Sequence, residues 1–579
     1  MKLLKRYIFK FEASFPLYPI AFLFIIGLIL YFRSVFNGFL GDDYYNIVEN
    51  NLIHSIYNFP ALFTSDPLFN TWNSYRPLMY AFFSVIYSMF GLNSGFYHLF
   101  DLLLHLLNTI LLFIFLKKIL ILQKFRFPQV LSFILSLIFL VHPVNVEAVA
   151  YISVTPDLMV FCFSLLGLFA ADYYCRKKGS IIIAFLIHLL ILACLLSKET
   201  GLMVVVMIPA FCFLIYKKIN KTVISFGVTP FVIYVLMRLI WDRAALGIKL
   251  TFLPSLYDSN LLVRLKTIPY EMSSYVRLIF FPKDLFMFQQ DVVSSIFDPK
   301  FYLSLSMMVA AIAIICWLFF KYKSRILTFF LVWMAFNFLQ ISNIIPLTTS
   351  VAERWMYITL IGVLGFFGII ITHVLKYKKI ILFLSLALLI FIPLAMLRTY
   401  IRIGDWKDQY TLYSHDLAYK RNDPYALNNY AYQLFLRGDF INSLRNLEDA
   451  FKIDPTNLTT RLHLGLVLVK VGKTDEAKKL FYDMLQDKNN VTEYGYIAEY
   501  YVENIDTNPD PDFMINLLSR LINQSPNDIY LNKLMEIAWS HKQNWNQALF
   551  YANRVYQLDA TAANLQEVNL VNSRLQQQQ

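Results

Sequence analysis

The chain has 579 residues, of which 58% are hydrophobic and only 16% charged, with a mean hydropathy of +0.52; this balance excludes an ordinary soluble globular protein. The net charge of +12 sits mostly between apolar runs, which points to membrane topology and not to a nucleic-acid partner. All five cysteines lie in or beside apolar segments without ligand spacing, which excludes a disulfide framework or a zinc site.

A helix needs about 20 largely apolar residues to cross a bilayer, because in lipid the backbone must satisfy its own hydrogen bonds. In chain order the candidates, about eleven by that length rule, are Phe15–Phe32, His98–Leu116, Pro128–Val141, Leu158–Tyr174, Ile181–Leu196, Gly201–Tyr216, Thr222–Ile240, Phe301–Phe320, Ile326–Ile341, Met356–Val374 and Ile380–Leu397. With the N-terminal Lys2, Lys5 and Arg6 placed inside, every second connection is basic: Lys117, Lys118, Lys124 and Arg126; Arg176, Lys177 and Lys178; Lys217, Lys218 and Lys221; Lys321, Lys323 and Arg325; Lys376, Lys378 and Lys379. By the positive-inside rule these connections are cytoplasmic. The outer side then receives a first loop over 33–97, a second over 241–300, and everything after the last span. The chain divides into a membrane domain, 1–397, a connector, 398–422, and a C-terminal domain, 423–579.

Polar motifs gather on that outer side, where an ionisable group beside a membrane helix is costly and so suggests a function. The first loop opens with Asn37-Gly38-Phe39-Leu40-Gly41-Asp42-Asp43. Two adjacent carboxylates there suit a general base, a metal ligand or both, and equally a turn or helix cap. Next come Tyr75-Arg76-Pro77-Leu78 and a stripe of His98, Asp101, His105 and Asn108 at helical spacing. That stripe faces protein or a wet cavity, and hydrogen bonding between helices is its plainer reading. His142-Pro143-Val144-Asn145-Val146-Glu147 closes the third helix, Asp157 opens the fourth, Ser197-Lys198-Glu199 joins the fifth and sixth, and Glu353-Arg354-Trp355-Met356-Tyr357 opens the tenth. Their convergence on one face predicts an active site at the outer lipid boundary for a lipid-borne, anionic substrate.

After Asp423 the hydrophobic pattern repeats every 34 residues, the tetratricopeptide (TPR) period. Ala431, Gly438, Ser443, Ala450 and Pro455 form one unit; Gly465, Gly472, Ala477 and Phe481 form the next; a further unit surrounds Trp539, Trp545 and Ala548. The stretch 491–523 is degenerate. Such solenoids bind extended peptide or protein, or serve as spacers.

The order of motifs, from Asp42-Asp43 and Tyr75-Arg76-Pro77-Leu78 through His142-Pro143-Val144-Asn145-Val146-Glu147 and Leu196-Ser197-Lys198-Glu199 to Ala352-Glu353-Arg354, resembles the transmembrane and tetratricopeptide-repeat (TMTC) glycosyltransferases of the GT-C superfamily and their bacterial relatives. The likeness covers almost the whole chain, and Trp406 to Asp416 resembles that family's junction. It implies an all-α GT-C membrane bundle followed by a TPR α-solenoid, a catalytic first outer loop, and a polyprenyl-phosphate sugar donor. Eukaryotic members are protein O-mannosyltransferases; sugar and acceptor are open for bacterial relatives.

On this reading Asp42 or Asp43 takes the acceptor's proton, with the choice between them open. Arg354 and Lys198, helped by Arg76 or His98, stabilise the departing phosphate, while Glu147, Glu199 and Glu353 orient those cations or the sugar. His142, Asp157 and Tyr357 complete the candidate donor site. No cofactor is required, and a divalent ion at Asp43 is left open. The expected partners are the lipid-linked donor, membrane lipid, and a protein or peptide acceptor bound by the repeats. A bacterial inner membrane is favoured over the endoplasmic reticulum, with the repeats periplasmic or lumenal. The main rival is a non-enzymatic TPR scaffold, which leaves the many helices unexplained; a transporter ranks last, for want of an internal two-fold repeat.

Overall fold

A computed structural model describes residues 11–12, 17–64, 74–177, 179–244, 260–287, 289, 292–293, 295–347, 349–375, 377–485, 510–524 and 526–578. Lys2, Lys5, Arg6, Lys178, Lys376 and most of the degenerate repeat stretch lie outside the described residues. Among those described, the structure is helical, with a single isolated β-bridge between Gln289 and Val351. It divides into two compact units, Met1–His415 and Asp416–Gln579.

The first unit is a bundle of α1 (Leu17–Tyr31), α2 (Pro77–Phe90), α3 (Ser94–Leu122), α4 (Pro128–Val141), α5 (Val146–Ala150), α6 (Thr155–Arg176), α7 (Ile181–Ser197), α8 (Leu202–Tyr216), α9 (Lys221–Ala244), α10 (Leu261–Phe280), α11 (Pro299–Tyr322), α12 (Arg325–Gln340), α13 (Met356–Val374) and α14 (Lys378–Asp405). Among the described residues, eight helices are long and apolar enough to cross a membrane, and a ninth span is a pair, Pro128–Val141 and Pro143–Ala150, bent by 55°. The chain is therefore a multi-pass membrane protein. Eleven crossings are expected from the sequence. Each coincides with an apolar helix, but α7 and α12 are shorter than a straight crossing requires, and α4 ends at the break after Val141. That break has a local cause: Pro143 has no N–H to continue the ladder. The carbonyl of Phe139 is instead capped by the Asn145 amide at 2.7 Å, and the N–H of Val144 by the His142 ring at 3.2 Å.

Burial sorts the helices into layers. The apolar window of Ile152–Arg176 is 78% buried and that of Glu353–Val374 72%, so α6 and α13 are central. Pro299–Tyr322 and Lys379–Asp405 are only 6% buried, which leaves their apolar side chains to face lipid. The α3 stripe turns inward: His98, Asp101, His105 and Asn108 are all fully buried. Because the long helices alternate in direction, one end of the bundle collects the loop after α1, the start of α2, the break between α4 and α6, the α7–α8 turn, the start of α13 and the end of α14.

The second unit is built of hairpins. Pro424–Leu436 packs on Phe440–Ile453, and Leu458–Lys470 packs on Thr474–Leu485, the second pair offset from the first by 34 residues. Pro511–Gln524, Ile529–His541, Trp545–Leu558 and Ala562–Gln578 continue the stack. Asp423, Asp439, Asn457, Asp528 and Asn544 each cap the helix that follows with a side-chain oxygen. Gly438 and Gly472, at φ +80° and +83°, carry the chain out of the first helix of each hairpin. At Gly465 the two helices touch so closely that a Cβ would lie 2.2 Å from the fully buried Phe481 ring. Gly465→Ala is expected to destabilise the repeats by about 1–3 kcal/mol through overpacking. A lowered melting temperature of the purified full chain would register it.

Candidate active site

Asp42 and Asp43 follow the 3-10 turn that closes α1, and the backbone turns between them so that their side chains part. Asp43 is fully buried. One of its oxygens accepts from the Leu40 N–H at 2.9 Å, and the other from the Ser153 N–H at 2.7 Å and the Ser153 hydroxyl at 2.6 Å. Burial pushes its pKa up to about 7, against the pull of those donors. Its contacts are those of an anchor that ties the loop to the segment after α5.

Asp42 is the exposed member of the pair. The surrounding protein still desolvates it enough to raise its pKa, while Arg354, a hydrogen bond from Tyr151 and Arg76 pull the other way. A carboxylate that is accessible yet surrounded lies in a cleft. The hydroxyls of Tyr151, Ser153 and Thr155 serve three acids in turn. Tyr151 meets Asp42, whose N–H it accepts at 2.9 Å; Ser153 meets Asp43; Thr155 donates to the buried Asp101 at 2.7 Å.

Three cations face this cleft, and each is held by its own acid. Arg76, at the start of α2, gives Nε and a terminal nitrogen to Glu199 at 3.0 and 2.9 Å. Lys198, at the α7–α8 turn, is paired with the buried Asp157 of α6. Arg354, before α13, gives its guanidinium and, at 2.7 Å, its backbone N–H to the fully buried Glu147 of α5. The three are mutually close. Burial lowers the Lys198 pKa, and Arg76 and Arg354 push it the same way against Asp157. Accessibility grades inward, from Arg76 and Glu199 at 27% and 39% to Arg354 and Lys198 at 15% and 11%. Glu147, Asp157 and Glu199 take up only part of each cation's donor set, so N–H groups on each cation are left for an anion entering the cleft.

The remaining candidates are held away from the cleft. His98 bonds the Gly38 carbonyl at 3.3 Å, beneath the loop it supports. His142 bonds the Ile279 carbonyl at 2.8 Å. Tyr357 is buried between His105 and Asn108, at 2.8 and 3.2 Å. Glu353 turns from its neighbour Arg354 to the fully buried Arg402 at 3.0 Å. Among the described residues, no three His, Cys, Asp or Glu side chains gather as a metal-ligating group.

Sequence reasoning did not place four residues of this region in the site: Tyr151, Ser153, Arg402 and Trp406. Trp406 is fully buried and stacks on Tyr151 at 5.5 Å, with 26° between the rings. In the sequence Trp406 reads only as the start of the junction, and Arg402 leaves a trace as a charge one turn before that tryptophan at the end of an apolar span.

No protein-family model matches the chain. Human protein O-mannosyl-transferase TMTC3 is 25% identical over 516 residues, covering 79% of this chain and 54% of its own length. The Caenorhabditis elegans protein O-mannosyl-transferase F38B6.6 is 25% identical over 439 residues, covering 74% and 62%. Its curated relatives are TMTC protein O-mannosyl-transferases. Human TMTC2 matches more closely, at 32%, over a shorter stretch of 163 residues. This chain spans little more than half the length of the TMTC relatives it matches along most of its own. Among solved structures, MamA from Desulfovibrio magneticus RS-1 covers 26% of the chain at 15% identity, with a TM-score of 0.23.

Proposed function

We propose that the chain is a membrane glycosyltransferase that moves a sugar, mannose by analogy with its TMTC relatives, from a polyprenyl-phosphate donor to a hydroxyl on a protein. The observation that carries this reading is the accessible Asp42 carboxylate facing Arg354 and Arg76, with Lys198 beside those two and each cation fixed by its own acid. Asp42 is the base: it takes the proton as the acceptor oxygen attacks the anomeric carbon, and the bond from that carbon to the phosphate oxygen breaks on the opposite face. The lipid phosphate leaves with its charge matched by Arg354, Lys198 and Arg76. Because Glu147, Asp157 and Glu199 hold these cations before the donor arrives, little reorganisation is needed during the reaction.

Read as crossings, the two shorter apolar helices keep every basic connection on one side. The site and the repeats would then each face the outer side, the periplasmic one of a bacterial inner membrane. The repeats would bind the acceptor chain. The test is transfer by the purified full chain in lipid vesicles, with polyprenyl-phosphate mannose as donor and a serine- and threonine-containing peptide as acceptor. Labelled peptide is the expected product. No transfer from this donor or from its hexose analogues would overturn the reading.

No divalent ion is required in this scheme, since three of Asp43's acceptor positions are filled by N–H and O–H donors and the phosphate charge is met by cationic side chains. Excess EDTA is therefore expected to leave the initial rate within about twofold, in contrast to the loss seen when a metal supplies Lewis-acid catalysis.

A further inference from the structure

The outer end of α14 reaches both halves of the cleft. The Lys407 carbonyl accepts the Gly38 N–H at 3.0 Å, and the Ile403 carbonyl accepts from the Asn37 side chain at 3.3 Å. Arg402 holds Glu353, next in the chain to Arg354. Trp406, between them, lies flat against Tyr151. The Tyr151 hydroxyl accepts the Asp42 backbone N–H at 2.9 Å and lies near enough to its carboxylate to favour the ionised form. One buried oxygen therefore sets where Asp42 sits and stands beside its carboxylate. A stacked ring can keep that oxygen in place only if the ring itself is fixed, and Trp406 supplies the fixed face.

We infer that Tyr151, held by Trp406, is a positioning residue that orients Asp42 as the base. The inference rests on the glycosyltransferase reading and adds to it the residues that aim the base. It also gives a purpose to the tryptophan that opens the junction before the repeats. Asp42 is faced by Arg354, Arg76, Tyr151 and the neighbouring Asp43. Of the groups that keep its carboxylate ionised, Tyr151 alone is uncharged, so it can be altered without changing the charge of the cleft.

The test uses the full chain in vesicles, with polyprenyl-phosphate mannose and the serine- and threonine-containing peptide. Tyr151→Phe keeps the ring and its stacking and removes one oxygen. Its kcat is expected to fall roughly 10- to 100-fold, as for a misaimed catalytic group, with the donor KM within about twofold. The acid limb of its pH profile should move to higher pH, because Asp42 loses a hydrogen bond that favours the ionised form. Trp406→Leu should reproduce both changes, Trp406→Phe should restore most of the rate, and Tyr151→Phe with Trp406→Leu should be no slower than Tyr151→Phe alone. A Tyr151→Phe enzyme with wild-type kcat and pH profile would overturn the inference, as would losses that multiply in the double variant. Wild-type protein without transfer, or Asp42→Asn with undiminished transfer, would overturn the glycosyltransferase reading and the inference together.

Discussion

Asp42→Asn is expected to reduce kcat by on the order of 10²–10⁴-fold, the range for loss of a general base, while leaving the folded protein intact. The side chain is exposed and asparagine keeps an oxygen for the buried Tyr151 hydroxyl, so the stability change should stay within about 0.5 kcal/mol. Asp43→Ala should behave differently. It leaves the Leu40 N–H and the N–H and hydroxyl of Ser153 without their acceptor, at about 1–3 kcal/mol for each group left unsatisfied. Melting temperature and transfer should therefore fall together. The pH dependence follows the same division. Asp42 works ionised, so the rate falls as pH drops through its pKa, and desolvation puts that limb above the usual carboxylate range. In Asp42→Asn any residual rate should lose this limb. Initial rates per folded molecule, with melting curves on the same samples, decide the matter; Asp42→Asn with a near-wild-type rate would remove it as the base.

The split between neighbouring carboxylates is the kind of feature a sequence does not carry. Both are aspartates in one turn, and their difference arises from Ser153, some 110 residues away. Long-range pairing is likewise illegible: Glu147 and Arg354 are 207 residues apart, and no local spacing relates them. The ionic residues themselves were legible, because a charge beside an apolar span is costly and stands out. Tyr151 was not, since an aromatic in so apolar a chain reads as packing, and Trp406 was legible as junction but not as part of the site. On the scale of the fold, apolar run length marked the helices well, and the 34-residue offset marked the hairpins. What it could not anticipate was the angle at which a broken span continues. The 55° bend falls after Val141, where the sequence also ends the third span, but hydropathy alone does not reveal that the proline there redirects the chain toward the cleft.

Removing Arg354 should damage the protein in two separable ways. Glu147 is fully buried and takes both the guanidinium and the backbone N–H of Arg354. Arg354→Met would leave its carboxylate buried without a counter-charge, at about 3–5 kcal/mol. It would also remove a donor for the departing phosphate, a loss on the order of 10²–10³-fold in kcat by analogy with removal of an oxyanion donor. Adding Glu147→Gln removes the stranded charge while keeping an amide oxygen for the backbone N–H. The double variant is therefore expected to regain most of the melting temperature and none of the rate. Buried ion pairs replaced by neutral groups often cost little stability, so the pair is retained because the reaction needs the cation and the cation needs its acid. Recovery of transfer in the double variant, at any donor concentration, would show that Arg354 only supports the fold and would leave Lys198 and Arg76 to meet the phosphate.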